Sequence, residues 1–576
     1  MSGNHHFRAL QQCFYPTLHN FLSNFAYFCP SLGTNTTLRY DCTVRLKHSP
    51  HTFGMKKISF YFSLNATQRY IWRIIIVLCC CIFFFCAPCT SLQAKDYDPY
   101  LKNRINTGID AMYGMRYTEA AQAFDDIIRK YPTEPAGYFF RSQIHLWRYL
   151  FDYSEPDFKL FLASCDKAIS VAETNLAQNP QNSFAQAVVG AVYGFRSMAN
   201  FRAENFVKAT LDGRSCYNYL SDVIKKNPQE YDAYLGLGMF HFGIGVLPKE
   251  ARYGANFAGL KGDRESGLRE IEQAAERSTW ARNDAKMFLA MINIYYNRDF
   301  TRGLKYLTDL IQSYPNNIPV LYTLGNVDML LRKPQTALPY YRRALQNADT
   351  NFRTFTAFSH YRIAEAHFRL NEFDAAKASF QRFFKGKYER SFRGMALLRL
   401  SLCYEMEGNR AEALKGYAKC AALPPFEPDD KFAIRRAKEY MKEAPSTAHI
   451  QLLKGINCVE SSRFQEAEQL LRPLVENTAL SKELRSEAAY NLGEALREER
   501  RGTEAIPFYL KAVECEAETE RWTMPWSYYR IATIHYNAGK TELSRSYLDK
   551  AKVFSKYDFE EWLQFNMYRD ASLLKY

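Results

Sequence analysis

The sequence has little glycine or proline, 27 and 22 among 576 residues. That scarcity excludes collagen-like and low-complexity classes and argues against a turn-rich all-β fold. It also lacks a dense basic tract, although the formal net charge is +14. Residues 1–94 hold eight Lys/Arg against one acid, Asp41; the other 482 residues carry 67 bases against 60 acids. A surface that tracks phosphates requires clustered cations, because affinity scales with the charges neutralised, so nucleic acid is not an expected partner. Beyond residue 94 the cysteines are isolated, at 165, 216, 403, 420, 458 and 515, which excludes a disulfide-stapled scaffold. There is no Gly-x-x-x-x-Gly-Lys-Ser/Thr phosphate loop and no His-Glu-x-x-His zinc helix.

Weaker signals for chemistry also dissolve. Gly236-Leu-Gly238 approaches a dinucleotide fingerprint, but His241 stands at the third glycine and no strand precedes it. The pair reads as small residues at a helix contact. His360 and His367 flank Glu365 on one helix face without a third ligand at hand. Asp263 and Glu265 are better read as a helix start, with Asp263 capping near Ser266. Cys86-Ala-Pro-Cys89 has redox spacing but no thioredoxin-like context, and the five histidines before residue 55 are irregularly spaced. No metal site, no cofactor and no enzyme activity are expected.

What is present begins with an address. From Ile74 to Cys89 the chain is uncharged and apolar, preceded by Lys56, Lys57, Arg69 and Arg73 and closed by Ser91-Leu-Gln-Ala94. A basic flank, a short apolar run and a small final residue are the parts of a secretory signal over 55–94. Everything after Lys95 is then expected outside the cytoplasm, in the periplasm or cell envelope. If the segment is not cleaved, 74–92 anchors the chain to the membrane. Residues 1–54 show no periodicity and read as an unstructured extension or as sequence upstream of a true start at Met55.

Beyond the address lies a repeat. Counting from Leu101, small or bulky residues fall at positions 8 (Gly108), 20 (Ala120), 24 (Phe124), 27 (Ile127) and 32 (Pro132) of a 34-residue unit. The frame returns at 318 (Gly325, Ala337, Tyr341), 357, 394, 448 (Gly455, Leu471), 486 (Gly493, Tyr509) and 525. A degenerate unit at 284 puts Met291 at position 8. Between 135 and 275 the frame holds only with inserts of 14 and 17 residues inside hairpins. This pattern resembles the tetratricopeptide repeat, a pair of antiparallel helices held close by small residues at 8 and 20. The implied fold is all-α, an α-solenoid of about eleven hairpins, some with long-helix insertions. A solenoid over 95–423, a linker with a helix over 424–447, and a second solenoid with a closing helix over 448–576 complete the expected organisation. The stretch Gly262-Asp-Arg-Glu-Ser-Gly-Leu268, after a proline-containing loop, further resembles the inclusion-body-clearance and related tetratricopeptide family over about 100–310, and similar bacterial exported proteins.

The resemblance implies a concave binding groove lined by position 5 of each first helix. Here those positions hold Tyr322, Tyr361, Tyr490 and Tyr529, with Phe288 in the degenerate unit; position 6 supplies Arg362, Arg399 and Arg530. Tyrosine beside arginine is the composition of protein-recognition surfaces. Packing of the same tyrosines within each repeat is the other reading. Of the residues a carboxylate clamp requires, only Asn326 is in place. The expected function is a non-catalytic, exported scaffold that binds a protein or extended peptide along the groove. The alternative is a carrier or sensor of an apolar or polymeric envelope ligand near the 247–267 insert.

Overall fold

The computed structural model describes residues 98–152, 154–247, 252–253, 255–256, 260–348, 352–386 and 391–574. The extension over 1–54 and the signal over 55–94 lie outside the described residues. From Asn103 onward the chain belongs to one unit, to which all contacts below refer. Among the described residues every regular element is helical, and no helix is long and apolar enough to cross a membrane.

The helices follow as α1 (Pro99–Tyr113) and α2 (Tyr117–Lys130), α3 (Pro135–Asp152) and α4 (Glu155–Gln178), α5 (Ser183–Arg202) and α6 (Phe206–Lys226). Next come α7 (Ala233–Gly245) and α8 (Arg264–Arg277), α9 (Arg282–Met291) and α10 (Phe300–Ser313), α11 (Ile318–Leu330) and α12 (Pro334–Asn347). Then α13 (Arg353–Arg369) precedes α14 (Phe373–Lys385), and α15 (Arg393–Met406) precedes α16 (Arg410–Ala421). A single helix, α17 (Pro428–Lys442), leads to α18 (Thr447–Val459) and α19 (Phe464–Glu476), α20 (Lys482–Glu498) and α21 (Gly502–Glu514). The series ends with α22 (Thr523–Asn537) and α23 (Thr541–Lys552), then α24 (Glu560–Leu574). Among the described residues the hairpins number eleven, as the repeat frame predicts.

The frame also predicts which atoms touch. A β-carbon on Gly108 would stand 2.2 Å from Phe124, on Gly325 2.6 Å from Tyr341, on Gly455 2.6 Å from Leu471, and on Gly493 2.8 Å from Tyr509. Each is position 8 meeting position 24 across one hairpin. The hairpins with inserts obey the same rule over longer helices. A β-carbon on Gly190 would meet Leu220, and one on Gly238 in α7 would stand 2.7 Å from both Ile271 and the carbonyl oxygen of Gly267 in α8. Gly238 and Gly267 thus let two backbones cross, which accounts for the second glycine of the 262–268 stretch. Asp263 caps α8 by accepting from the Ser266 N–H at 2.7 Å, as expected. At Met291 the helix passes into a π-helical segment, Ile292–Asn297, and Gly303 packs on Ile294.

Nine of the hairpins turn through a left-handed residue, yet only Gly408 and Gly539 are glycines; Arg332 (φ 59°) and Arg500 (φ 64°) are among the others. A side chain there costs roughly 1–2 kcal/mol. The 424–447 stretch, expected as a linker with a helix, holds α17, which is packed on α15 and α16. Its Arg436 pairs with Glu487 at 2.9 Å and with Glu520 at 2.9 Å.

Replacing Gly493 with leucine forces Tyr509 out of a fully buried site, and overpacking of this kind costs about 1–3 kcal/mol. Because solenoid stability is a sum over units and interfaces, protection against hydrogen exchange should fall across α18–α23 together. Loss confined to α20 and α21 would contradict this.

Candidate functional site

The structure corrects the expectation of an open aromatic groove. Tyr322, Tyr361, Tyr490 and Tyr529 retain 2%, 4%, 6% and 3% of their surface. Tyr361 stacks on Phe392 with ring centroids 4.4 Å apart; Tyr322 meets Tyr341 and Phe355 edge-on; Tyr490 does the same with Tyr509 and Trp522. Asn326, the single clamp-like residue, is buried and accepts from the Tyr341 hydroxyl at 2.8 Å. These five residues are core. The physical reason is that Tyr322, Tyr361 and Tyr490 pack within their own repeat and against the start of the next, as the other reading of position 5 has it, while charged side chains fill the space between first helices.

Arginines and glutamates do the filling. Glu365 of α13 receives Arg362 at 2.7 Å, Arg369 at 2.8 Å and Arg399 at 3.4 Å. Glu494 of α20 receives Arg530 at 2.8 Å, Arg497 at 3.1 Å and Arg332 at 3.3 Å, and the Tyr509 hydroxyl donates to it at 2.5 Å. Glu460, at the end of α18, pairs with both Arg332 and Arg369 and joins the two clusters. Arg332 lies 128 residues before Glu460 and 162 before Glu494, so the pairs hold distant hairpins together. The surrounding guanidinium groups outweigh burial and hold the Glu365 and Glu494 carboxyls far below the usual carboxylate range. The position-6 arginines, expected to face a partner, are therefore engaged within the molecule.

The same side of the helices carries α24. The Tyr529 hydroxyl donates to Asp570 at 2.5 Å, Trp562 Nε1 donates to Asp429 at 2.9 Å, and the Tyr568 hydroxyl donates to the Val246 carbonyl at 3.1 Å. Lys431 pairs with Glu561 at 2.6 Å, and Arg435 pairs with Asp558 just ahead of α24 at 2.6 Å. Leu563 is fully buried. Phe559 sets its ring against Phe432 and Trp522. An acidic, aromatic helix of the chain itself thus lies against a basic, tyrosine-bearing face.

A second feature, a cavity of about 270 Å³, opens among α3, α5, α7 and α9. Its walls include Phe139, Phe195, Met239 and Trp280, and among the nine expected site residues Phe288 alone lines it. None of the residues that line it belongs to the 247–267 insert, of which 248–251, 254 and 257–259 lie outside the described residues. Gly194, Gly213, Gly236 and Gly243 line it as well, and a β-carbon on Gly243 would meet nothing within 4 Å. The sequence signal was there in α7, Gly236 to Gly245 with four glycines, but only Gly238 had a place in the repeat frame.

Residues 361–428 and 434–518 match the tetratricopeptide-repeat family. With the same small-against-bulky contact recurring from Gly108 to Gly493, the chain carries tetratricopeptide-type repeats, the repeat on which protein-interaction scaffolds are built. Among solved structures it is similar to yeast Tom70, at 13% identity over 83% of this chain and 98% of that one, with a TM-score of 0.25. It is also similar to the human IFIT1 dimer with PPP-AAAA (15% identity, 73% and 96% covered, TM-score 0.31). The third is the P58(IPK) TPR domain (11%, 73% and 96%, TM-score 0.18). No curated protein matches the sequence. The matched segments begin at Tyr361, so the narrower resemblance over 100–310 rests on its own residues.

Proposed function

We propose that this chain is a non-catalytic, exported scaffold that binds an acidic helical segment of a partner protein at the place occupied by α24. The observation that carries the reading is the set of contacts made by α24 and the turn before it: Asp558, Glu561 and Asp570 reach Arg435, Lys431 and Tyr529. A helix seated in a groove by its own chain marks what that groove accepts, since amphipathic helices dock in grooves through a few apolar anchors and a charged rim. Lifting α24 would uncover Tyr529 and the face of α17, restoring part of the surface expected from position 5. Export by the 55–94 segment is supported by its basic flank and its uncharged run from Ile74 to Cys89.

The test uses a chain ending at Ser555 and a synthetic peptide of residues 556–576 supplied separately. The peptide should bind the shortened chain, bind full-length protein at least tenfold more weakly, and lose at least tenfold in affinity when Asp558, Glu561 and Asp570 become amides. A shortened chain that is folded, by circular dichroism, and ignores the peptide would sink the reading. For export, a C-terminal tag should be digested by protease added outside the cytoplasmic membrane, and removal of 55–94 should protect it. A tag protected in the full-length protein would remove the export proposal.

A further inference from the structure

The cavity among α3, α5, α7 and α9 has a chemistry distinct from the groove. Its wall is aromatic and thioether-rich, and the charged residues that line it are all acids: Glu230, Asp232 and Asp284. Among the described residues no Lys, Arg or His lines it. The three acids differ in what they still have to offer. Asp232 is spent on helix capping: it accepts from the backbone N–H groups of Trp280 at 2.8 Å, Ala281 at 2.7 Å and Thr279 at 3.2 Å. Asp284 accepts from the Tyr113 hydroxyl through Oδ1, while its Oδ2 has no protein donor among the described residues. It is half-buried and lines the cavity.

Gln143 adds a second acceptor. Its Nε2 donates to Ser142 Oγ at 3.3 Å, and that hydroxyl spends its own proton on the Phe139 carbonyl at 2.6 Å. The amide nitrogen must therefore face Ser142, which turns Oε1 the other way; Oε1 is buried and has no partner. A buried acceptor without a donor costs about 1–3 kcal/mol. An apolar chamber lined by a half-buried carboxylate, with an unpartnered amide oxygen in its wall and no base, repels a carboxylate and suits a donor.

We propose that this cavity binds a small apolar molecule whose polar end donates hydrogen bonds, a primary amine or an alcohol and not a carboxylic acid. Size sets the scale of the ligand. A cavity of about 150 Å³ takes benzene, so about 270 Å³ accommodates roughly ten heavy atoms. The aromatic walls favour an ammonium head further, since ring faces attract cations. The site is independent of the α24 groove, and its test does not involve that helix.

Full-length protein is loaded with 1-naphthylamine, a neutral fluorescent amine of about that size, and the probe is displaced with octylamine, octanol or octanoate. Octylamine and octanol should displace it, and octanoate should be at least tenfold weaker. Gly243→Leu places a side chain in the open space at the cavity wall and should lower probe and octylamine affinity at least tenfold without lowering the melting temperature. Asp284→Asn should weaken octylamine at least tenfold and octanol little. If Gly243→Leu does not fold, the ranking of the three head groups and the Asp284→Asn result decide. Octanoate binding as tightly as octylamine, or a folded Gly243→Leu protein that binds the probe unchanged, overturns the proposal.

Discussion

Glu494→Ala should destabilise the protein by about 3–5 kcal/mol, because it strands three arginines in the interior. Arg332, Arg497 and Arg530 all point at this carboxylate, which is 3% exposed, and each would lose a partner that offsets its desolvation. The loss should be nearly insensitive to added salt, since buried pairs are screened far less than exposed ones. It should also follow pH in one direction. Neighbouring arginines depress the folded-state ionisation of Glu494 and Glu365 below the ordinary value of 4.5. Their stabilisation is therefore fully present above that value and is lost as pH falls through and below it. Denaturant melts of the wild type and Glu494→Ala between pH 3 and 7 should differ most at the neutral end and converge in acid. Curves separated by under 1 kcal/mol at neutral pH would show that the network is not holding the hairpins together.

Tyr361→Ala should cost a similar amount, about 3–5 kcal/mol, the range for deleting a large aromatic side chain from a packed core. The ring stacks on Phe392 at 4.4 Å and lies 5.5 Å from Phe383, and Arg399 reaches its hydroxyl at 3.4 Å. Truncation opens a cavity between α13, α14 and the start of α15, so thermal unfolding should drop by several degrees. An exposed recognition residue would behave the other way, with partner capture lost and the melt unmoved. An unchanged melt for Tyr361→Ala would return this tyrosine to the surface.

The contrast between these residues shows how far a repeat sequence can be read. Contacts inside one hairpin were legible: Gly325 against Tyr341 and Gly493 against Tyr509 depend only on spacing along two adjacent helices. The Asp263 cap was legible for the same reason, since a cap is local. The surroundings of Tyr361 and Arg530 were not. Spacing places them on one face of a helix but does not say whether neighbouring units close over it, as Phe383 and Phe392 do over Tyr361 and Glu494 does over Arg530; pairs such as Arg332 with Glu460, 128 residues apart, lay further still beyond reach. Small changes between successive units accumulate over that distance, and no short motif encodes the sum. The closing helix was expected within 448–576, yet its seat beside Tyr529 and Val246 arises from the same long-range geometry. The cavity escaped for a different reason: Gly243 earns its place by touching nothing, and a pattern of contacts cannot reveal an empty space.

The most direct measurement is amide hydrogen exchange of the peptide covering α24 in the full-length protein. If α24 occupies the groove, its amides should exchange as slowly as those of α20 and α22. They should be released when Asp558, Glu561 and Asp570 are neutralised, with α20 and α22 still protected. Rapid exchange of α24 in the unaltered protein, while α20 and α22 stay protected, would contradict the account.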